Sequence, residues 1–108
     1  MASVEKDYAR SEPKREEIDS LAGATVLEFG SPWCGYFRRA QPLIEEALAG
    51  RQGVRHIKVH DASGRWLGRS FAVKLWPTLV FLKDGRELGR VVRPNDVQEV
   101  AQALSGIV

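Results

Sequence analysis

One strand-to-helix transition constrains the fold more than any other feature of this sequence. Residues 24–29 (ATVLEF) are rich in apolar and β-branched side chains and predict a buried strand, interrupted by the carboxylate of Glu28. A Gly-Ser-Pro-Trp turn follows, and across residues 34–49 the apolar side chains recur at helical spacing. Pro42 lies inside this run and is expected to kink the helix. The pattern therefore predicts a strand–turn–helix unit with Cys34 at the start of the helix.

The rest of the chain alternates helix and strand patterns and closes with a hairpin and a helix. Asp84-Gly85 lies between two strand patterns and is a strong hairpin signal. Alternating elements that end in a hairpin predict an α/β fold, with a central mixed sheet flanked by helices on both faces. The remaining predicted elements are a helix capped by Ser11 with Pro13 in its first turn, strand 54–60, a short helix within 62–72, strands 78–82 and 86–93, and a helix that begins at Asn95 or Asp96 and ends near Leu104.

Length and composition describe one small globular domain. The 108 residues, 44% hydrophobic and 28% charged, are enough to bury a core. No linker or repeat divides them, so we assign residues 1–10 to a flexible N-terminal leader and residues 11–108 to one domain. The formal net charge is only +2 and no basic run is interleaved with aromatic residues, which argues against nucleic acid as a partner.

Targeting signals and cysteine usage narrow the class further. No apolar run approaches the roughly 20 residues of a membrane span, and residues 1–20 lack the apolar core of a signal peptide, so we expect a cytoplasmic protein with no membrane contact. The single cysteine excludes an internal disulfide and a metal site built on paired cysteines. We expect a monomer that can form a disulfide-linked dimer on oxidation.

Three features converge on one candidate site. Unpaired N–H groups at a helix start stabilise an anion, so Cys34 is placed to react as a thiolate. Glu28 lies six residues earlier in an apolar strand. A carboxylate buried there would favour its protonated form and could relay a proton to or from the sulfur. Trp76-Pro77-Thr78 lies at the start of the strongest strand pattern, residues 78–82. A cis bond before Pro77 would produce a sharp change of chain direction at the start of that strand.

These motifs occur in the order in which the thioredoxin family has them, and the chain resembles that family over roughly residues 20–105. The resemblance implies a thioredoxin fold in which Cys34 is the attacking cysteine and Glu28 the buried carboxylate, more often Asp in the family. It likewise implies that Pro42 is the kink proline and Pro77 the cis-proline whose loop pairs with the substrate backbone. On this basis the substrate-binding residues are Trp33, Gly35, Tyr36, Trp76, Pro77 and Thr78.

The chain departs from the family at one decisive position. The redox motif of thioredoxins usually reads Cys-x-x-Cys, whereas the position of the second cysteine is occupied here by Phe37. The first thiol attacks a substrate disulfide and the second resolves the mixed disulfide. Cys34 alone can attack but cannot release the product by itself. We expect Phe37 to pack into the apolar face of the helix.

Two functional hypotheses follow, from different classes. In the first, the chain is an enzyme, a monothiol oxidoreductase: Cys34 attacks a protein disulfide or a mixed disulfide, and an external thiol such as glutathione resolves the adduct. No other cofactor is implied. In the second, it is a binding module that holds an extended peptide between the Cys34 turn and the Pro77 loop. A third hypothesis, an iron–sulfur cluster shared through glutathione, rests only on a faint likeness of Cys-Gly-Tyr-Phe to monothiol glutaredoxins.

Each candidate residue also has a simpler interpretation. Cys34 could be an unused thiol on a scaffold kept for other reasons, and Glu28 could lie at a strand edge and point into water. Trp33 and Trp76 could form an apolar contact surface around the cysteine, or simply pack. His56 and His60 lie four apart on a strand pattern and face one side of it. We interpret them as ordinary strand residues rather than as ligands, because no further Cys or His cluster joins them. We place Trp66 in the core.

Overall fold

The computed structural model describes residues 12–61 and 65–108, and its elements follow the predicted order. Residues 1–11 lie outside the described residues, and with them the predicted leader, its boundary with the domain and the predicted cap at Ser11. The elements are α1 (Arg15–Asp19), β1 (Ala24–Gly30), α2 (Gly35–Leu48), β2 (Val54–His60), α3 (Trp66–Ser70), β3 (Thr78–Lys83), β4 (Arg86–Val92) and α4 (Val97–Ser105).

The four strands form one mixed sheet in the order β2-β1-β3-β4. Strand β1 runs parallel to β2 and antiparallel to β3, and β3 pairs antiparallel with β4. Every residue of β1 is buried, as a central strand covered on both faces requires. The β3–β4 turn places Asp84 and Gly85 at φ 51° and 80°. Positive φ at both positions is what a two-residue hairpin turn needs, so the hairpin prediction is confirmed.

Helices cover both faces of the sheet, as predicted. Successive side chains of β1 point to opposite faces, so Val26 joins one apolar cluster while Leu27 and Phe29 join another. The first cluster packs the sheet against α2 and α4, and the second packs it against α1 and α3. Among the described residues, no helix has the length and apolar character needed to cross a membrane.

Helix α2 continues through Pro42, which lies in its interior. The prediction of a kink there stays a prediction, since only the continuity of the helix is established. The last helix, α4, has Asp96 as its N-cap; the side chain of Asp96 accepts a hydrogen bond from the backbone N–H of Glu99. Helix α1 begins later than expected: Lys14 is its N-cap and Pro13 precedes it, so Pro13 does not lie in the first turn.

The placement of Trp66 in the core is wrong, because its side chain is 74% exposed. Helix α3 has only five residues, of which Leu67 and Gly68 are buried, and only Leu67 contributes a side chain to the apolar core. The adjacent Trp66 therefore points outward, with the guanidinium of Arg69 lying 5.7 Å from its ring centre. The start of α3 is held by Glu12, whose carboxylate accepts hydrogen bonds from the backbone N–H groups of Trp66 and Leu67.

Candidate functional site

Cys34 is the N-cap of α2, with extended backbone angles of φ −87° and ψ 123°. Its N–H donates to Ser31 O at 3.0 Å, which closes the turn after β1, and its carbonyl accepts from Arg38 N at 3.1 Å. The side chain is partly exposed, and Sγ lies 4.0 Å from Trp76 O. The prediction that Cys34 stands at a helix start is confirmed. A helix start favours an anion through its backbone N–H groups and dipole, so the position suits a thiolate.

The loop that faces Cys34 contains a cis Trp76–Pro77 peptide bond. Thr78 Oγ1 donates to Leu75 O at 2.6 Å across this bond, and the backbone N–H of Arg93 donates to Pro77 O at 3.0 Å. The indole N–H of Trp76 donates to Asp61 Oδ2 at 2.9 Å. Pro77 and Thr78 are buried. The loop is therefore held from both sides, and its backbone at Trp76 lies next to the cysteine sulfur.

Two aromatic side chains beside Cys34 are open to solvent. Trp33 is 85% exposed and Tyr36 is 52% exposed, and Gly35 between them is exposed as well. The simpler interpretation that Trp33 only packs is therefore wrong. Trp76 is partly buried and hydrogen-bonded, so it contributes both to packing and to the surface near the sulfur.

Glu28 is fully buried, so its alternative interpretation as a strand-edge carboxylate is wrong. Its Oε1 lies 2.6 Å from His56 Nε2, and its Oε2 accepts a hydrogen bond of 2.6 Å from Gln41 Nε2. Both oxygens thus have a partner, as burial of a carboxylate requires. Gln41 also donates to Phe37 O at 3.1 Å, which joins this pair to the first turn of the helix that Cys34 begins.

The buried polar network extends to a lysine that the sequence analysis did not single out. Lys58 is 5% exposed; its Nζ donates to Gln41 Oε1 at 2.6 Å and lies 5.9 Å from the ring centre of Phe37. The buried Nδ1 of His56 has no hydrogen-bond partner among the described residues. His56 is therefore part of the network around Glu28, whereas His60 is half-buried at the end of β2.

A sequence signal for this network existed. Because β1 and β2 are parallel and pair Glu28 with Lys58, alternate residues of β2 face the side to which Glu28 points. His56 and Lys58 are both polar residues at such alternating positions. The register of the two strands brings these side chains to Glu28, and local sequence pattern does not specify it.

Phe37 fills the position where a second thiol would stand. Its side chain is 5% exposed, which confirms the predicted packing into the apolar face of the helix. A Cβ on Gly30 would overlap the Phe37 ring, so the ring occupies space that only a glycine at the end of β1 leaves open. The site accordingly combines one accessible sulfur with a buried aromatic ring.

No three His, Cys, Asp or Glu side chains within residues 12–61 and 65–108 are grouped as metal ligands would be. The arrangement around Cys34 suits sulfur chemistry: the sulfur lies at a helix start, a hydrogen-bonded loop lies beside it, and a buried carboxylate is joined to the same helix through Gln41.

The comparisons with known proteins agree with this geometry. The family model described as Thioredoxin matches residues 8–106. A thioredoxin of Chlamydia muridarum is 35% identical over 89 residues, covering 81% of this chain and 86% of its own length. A thioredoxin of Chlamydia trachomatis is 31% identical over 88 residues, with 81% and 86% covered. The solved structure of reduced thioredoxin 2 from Pseudomonas aeruginosa is 50% identical, covers 95% of both chains and superposes with a TM-score of 0.84.

Proposed function

This chain belongs to the thioredoxin family, and on that premise we propose that it is a monothiol redox protein whose reacting group is Cys34. The substrate is a disulfide or mixed disulfide of a protein, and the resolving group is an external thiol. The observation that carries the proposal is the pairing of a partly exposed Cys34 at the N-cap of α2 with a buried Phe37 at the second thiol position.

The chemistry divides into two balanced exchanges. In the first, the Cys34 thiolate attacks one sulfur of a glutathionylated protein; a bond forms between Cys34 Sγ and the glutathione sulfur, and the protein leaves as a thiolate. In the second, the thiolate of free glutathione attacks that new disulfide, which releases Cys34 as a thiolate and forms oxidised glutathione. Glutathione is thus the reductant, and each leaving thiolate takes up a proton.

Glu28 is proposed as the group that handles this proton, supported by its burial beneath the helix that carries Cys34. His56 and Gln41 hold its two oxygens in place, so they act as positioning residues. Trp33, Gly35, Tyr36 and the backbone of Trp76 form the exposed surface next to the sulfur that a substrate would contact. Pro77 and Thr78 would act by holding that loop in shape.

The test is turnover of a glutathionylated peptide with glutathione as the only reductant. Wild-type protein should sustain turnover, and Cys34→Ser should abolish it while remaining folded, since the sulfur is only partly buried. Absence of turnover with glutathione and with other low-molecular-weight thiols would overturn the proposal. A cytoplasmic location and a monomeric state remain part of the proposal, and sedimentation with and without reductant would test the second.

The second candidate is a non-catalytic module that binds an extended peptide in the groove between the Cys34 turn and the Pro77 loop. The observation in its favour is the 85% exposure of Trp33 next to the half-exposed Tyr36. Binding of a peptide that is unchanged in Cys34→Ala but lost in Trp33→Ala or Trp76→Ala would support it. Dependence of binding on the thiol would count against it.

A further inference from the structure

Three contacts hold Arg93 beside Cys34, and Arg93 has no role in the thiol–disulfide exchange proposed above. Its guanidinium lies 3.8 Å from the ring centre of Tyr36, which follows Cys34 by two residues. Its Nε donates to Trp76 O at 2.9 Å, the same carbonyl that lies 4.0 Å from Cys34 Sγ. Its backbone N–H donates to Pro77 O. A cation is thereby fixed at the edge of the sulfur site.

The backbone at this position is unusual for a side chain of that size. Arg93 has φ 50°, in the left-handed region that glycine adopts readily and other residues adopt at a cost. Strained backbone positions cluster at functional sites, where the surrounding structure holds them. In this conformation the side chain lies over Tyr36 and reaches Trp76 O.

The charge of Arg93 is not neutralised by its surroundings. Arg38 and Arg39 follow Tyr36 in the first turns of α2, and the guanidinium of Arg39, three residues after Tyr36, lies 5.9 Å from the Tyr36 ring. None of these three arginines forms a salt bridge with an acidic side chain within the described ranges 12–61 and 65–108. The nearby carboxylate of Asp61 accepts from the indole of Trp76. The terminal amino groups of Arg93 have no acceptor among the same residues, so they can receive a carboxylate.

We propose that Arg93 is a specificity-determining residue that binds a carboxylate of a small anionic disulfide, such as a glutathionyl disulfide, while Cys34 attacks its sulfur. This inference rests on the proposed monothiol function and names its substrate class. Glutathione carries two carboxylates close to its sulfur, and a guanidinium binds a carboxylate through two parallel hydrogen bonds. An extended peptide is the less favoured ligand, because it would have to share Trp76 O with Arg93 Nε.

The step that tests this proposal is the formation of the mixed disulfide alone. Cys34 thiolate reacts with oxidised glutathione to give the Cys34–glutathione disulfide and one glutathione thiolate, so no further reductant is needed. The same measurement is made with 2-hydroxyethyl disulfide, a disulfide that reacts in the same way but carries no carboxylate. Intact-protein mass spectrometry follows the adduct in both cases. For each disulfide, the rate of a variant is divided by the rate of wild type, so the difference in intrinsic reactivity between the two disulfides cancels.

Arg93→Gly is the first variant, because glycine suits the positive φ and removes only the side chain. We expect it to slow the reaction with oxidised glutathione by about fivefold, which corresponds to the free energy of an exposed ion pair. The rate with 2-hydroxyethyl disulfide should change by less than about twofold. Arg93→Glu should slow the glutathione reaction further, by about tenfold. Added salt should reduce these differences.

Arg86→Glu is the matched control, since it changes the net charge equally at the other, exposed end of β4. It should leave both reactions within about twofold of wild type. Equal slowing of the two probes by the Arg93 variants, or equal effects of Arg86→Glu and Arg93→Glu, would overturn the role of Arg93. Failure of wild-type protein to react with either disulfide would instead overturn the proposed function, so the two failures are distinguishable.

Discussion

Glu28 Oε1 and His56 Nε2 lie 2.6 Å apart on neighbouring parallel strands, in a place where both side chains are inaccessible to water. A buried carboxylate needs such partners, because removing one leaves the other group desolvated and unpaired. The contact joins β1 to β2 beneath the helix that carries Cys34. The polar network is therefore part of the scaffold as well as a candidate for proton handling.

Removal of His56 should destabilise the fold through this contact. We expect His56→Leu to lower the free energy of unfolding by about 3 kcal/mol, because it leaves the Glu28 carboxylate short of a buried partner. Denaturant unfolding followed by circular dichroism measures the loss. The double variant His56→Leu/Glu28→Leu should lose less unfolding free energy than the sum of the losses of the two single variants, by about 1–3 kcal/mol. Strictly additive losses would show that the two residues do not interact.

The fit between Gly30 and Phe37 predicts a compensating pair. A methyl group on Gly30 meets the Phe37 ring, so Gly30→Ala should cost about 1–3 kcal/mol of stability in the wild-type background. In a Phe37→Cys background the ring is gone, and the same Gly30→Ala change should cost less than about 1 kcal/mol. The comparison uses unfolding free energies of wild type, the two single variants and the double variant. An equal cost of Gly30→Ala in both backgrounds would contradict the predicted contact.

Phe37→Cys should also change the chemistry of the site. It restores a thiol three residues after Cys34 in the first turn of α2, where it can attack a mixed disulfide formed at Cys34. We expect the variant to reduce one equivalent of a protein disulfide without any added thiol, whereas wild-type protein stops at the mixed disulfide. Release of free substrate thiols measures the difference, and Cys34→Ser/Phe37→Cys is the control. Stalling of Phe37→Cys at the mixed disulfide would show that the second thiol cannot reach the first.

The hairpin glycine offers a stability test that is independent of the redox site. Gly85 has φ 80°, and a Cβ there would collide with the backbone carbonyl of Asp19. Gly50 has φ 77°, but a Cβ there would meet nothing within 4 Å. Gly50→Ala should therefore cost about 1 kcal/mol from backbone strain alone, while Gly85→Ala should cost at least about 2 kcal/mol. Thermal unfolding of the two variants under one set of conditions compares these costs, and similar losses would rule out the collision.

Local pattern was sufficient for the order of the elements and for the position of the cysteine. The switch from a strand period to a helical period places Cys34 at a helix start, and Asp84-Gly85 forms the turn with its two positive φ angles. These features depend on residues that are close in sequence, so periodicity and turn chemistry report them directly. The burial of Glu28 followed from its apolar neighbours in the same way.

Tertiary structure alone decided what these residues touch. Whether Glu28 meets His56 depends on the register of two parallel strands, and Arg93 reaches Tyr36 only because the chain after β4 folds back over the start of α2. Trp66 is exposed because a helix of five residues can turn only part of its surface to the sheet. Spacing along the chain predicts the direction of a side chain from its own element. The partner that it meets depends on how separate elements pack, which no local pattern specifies.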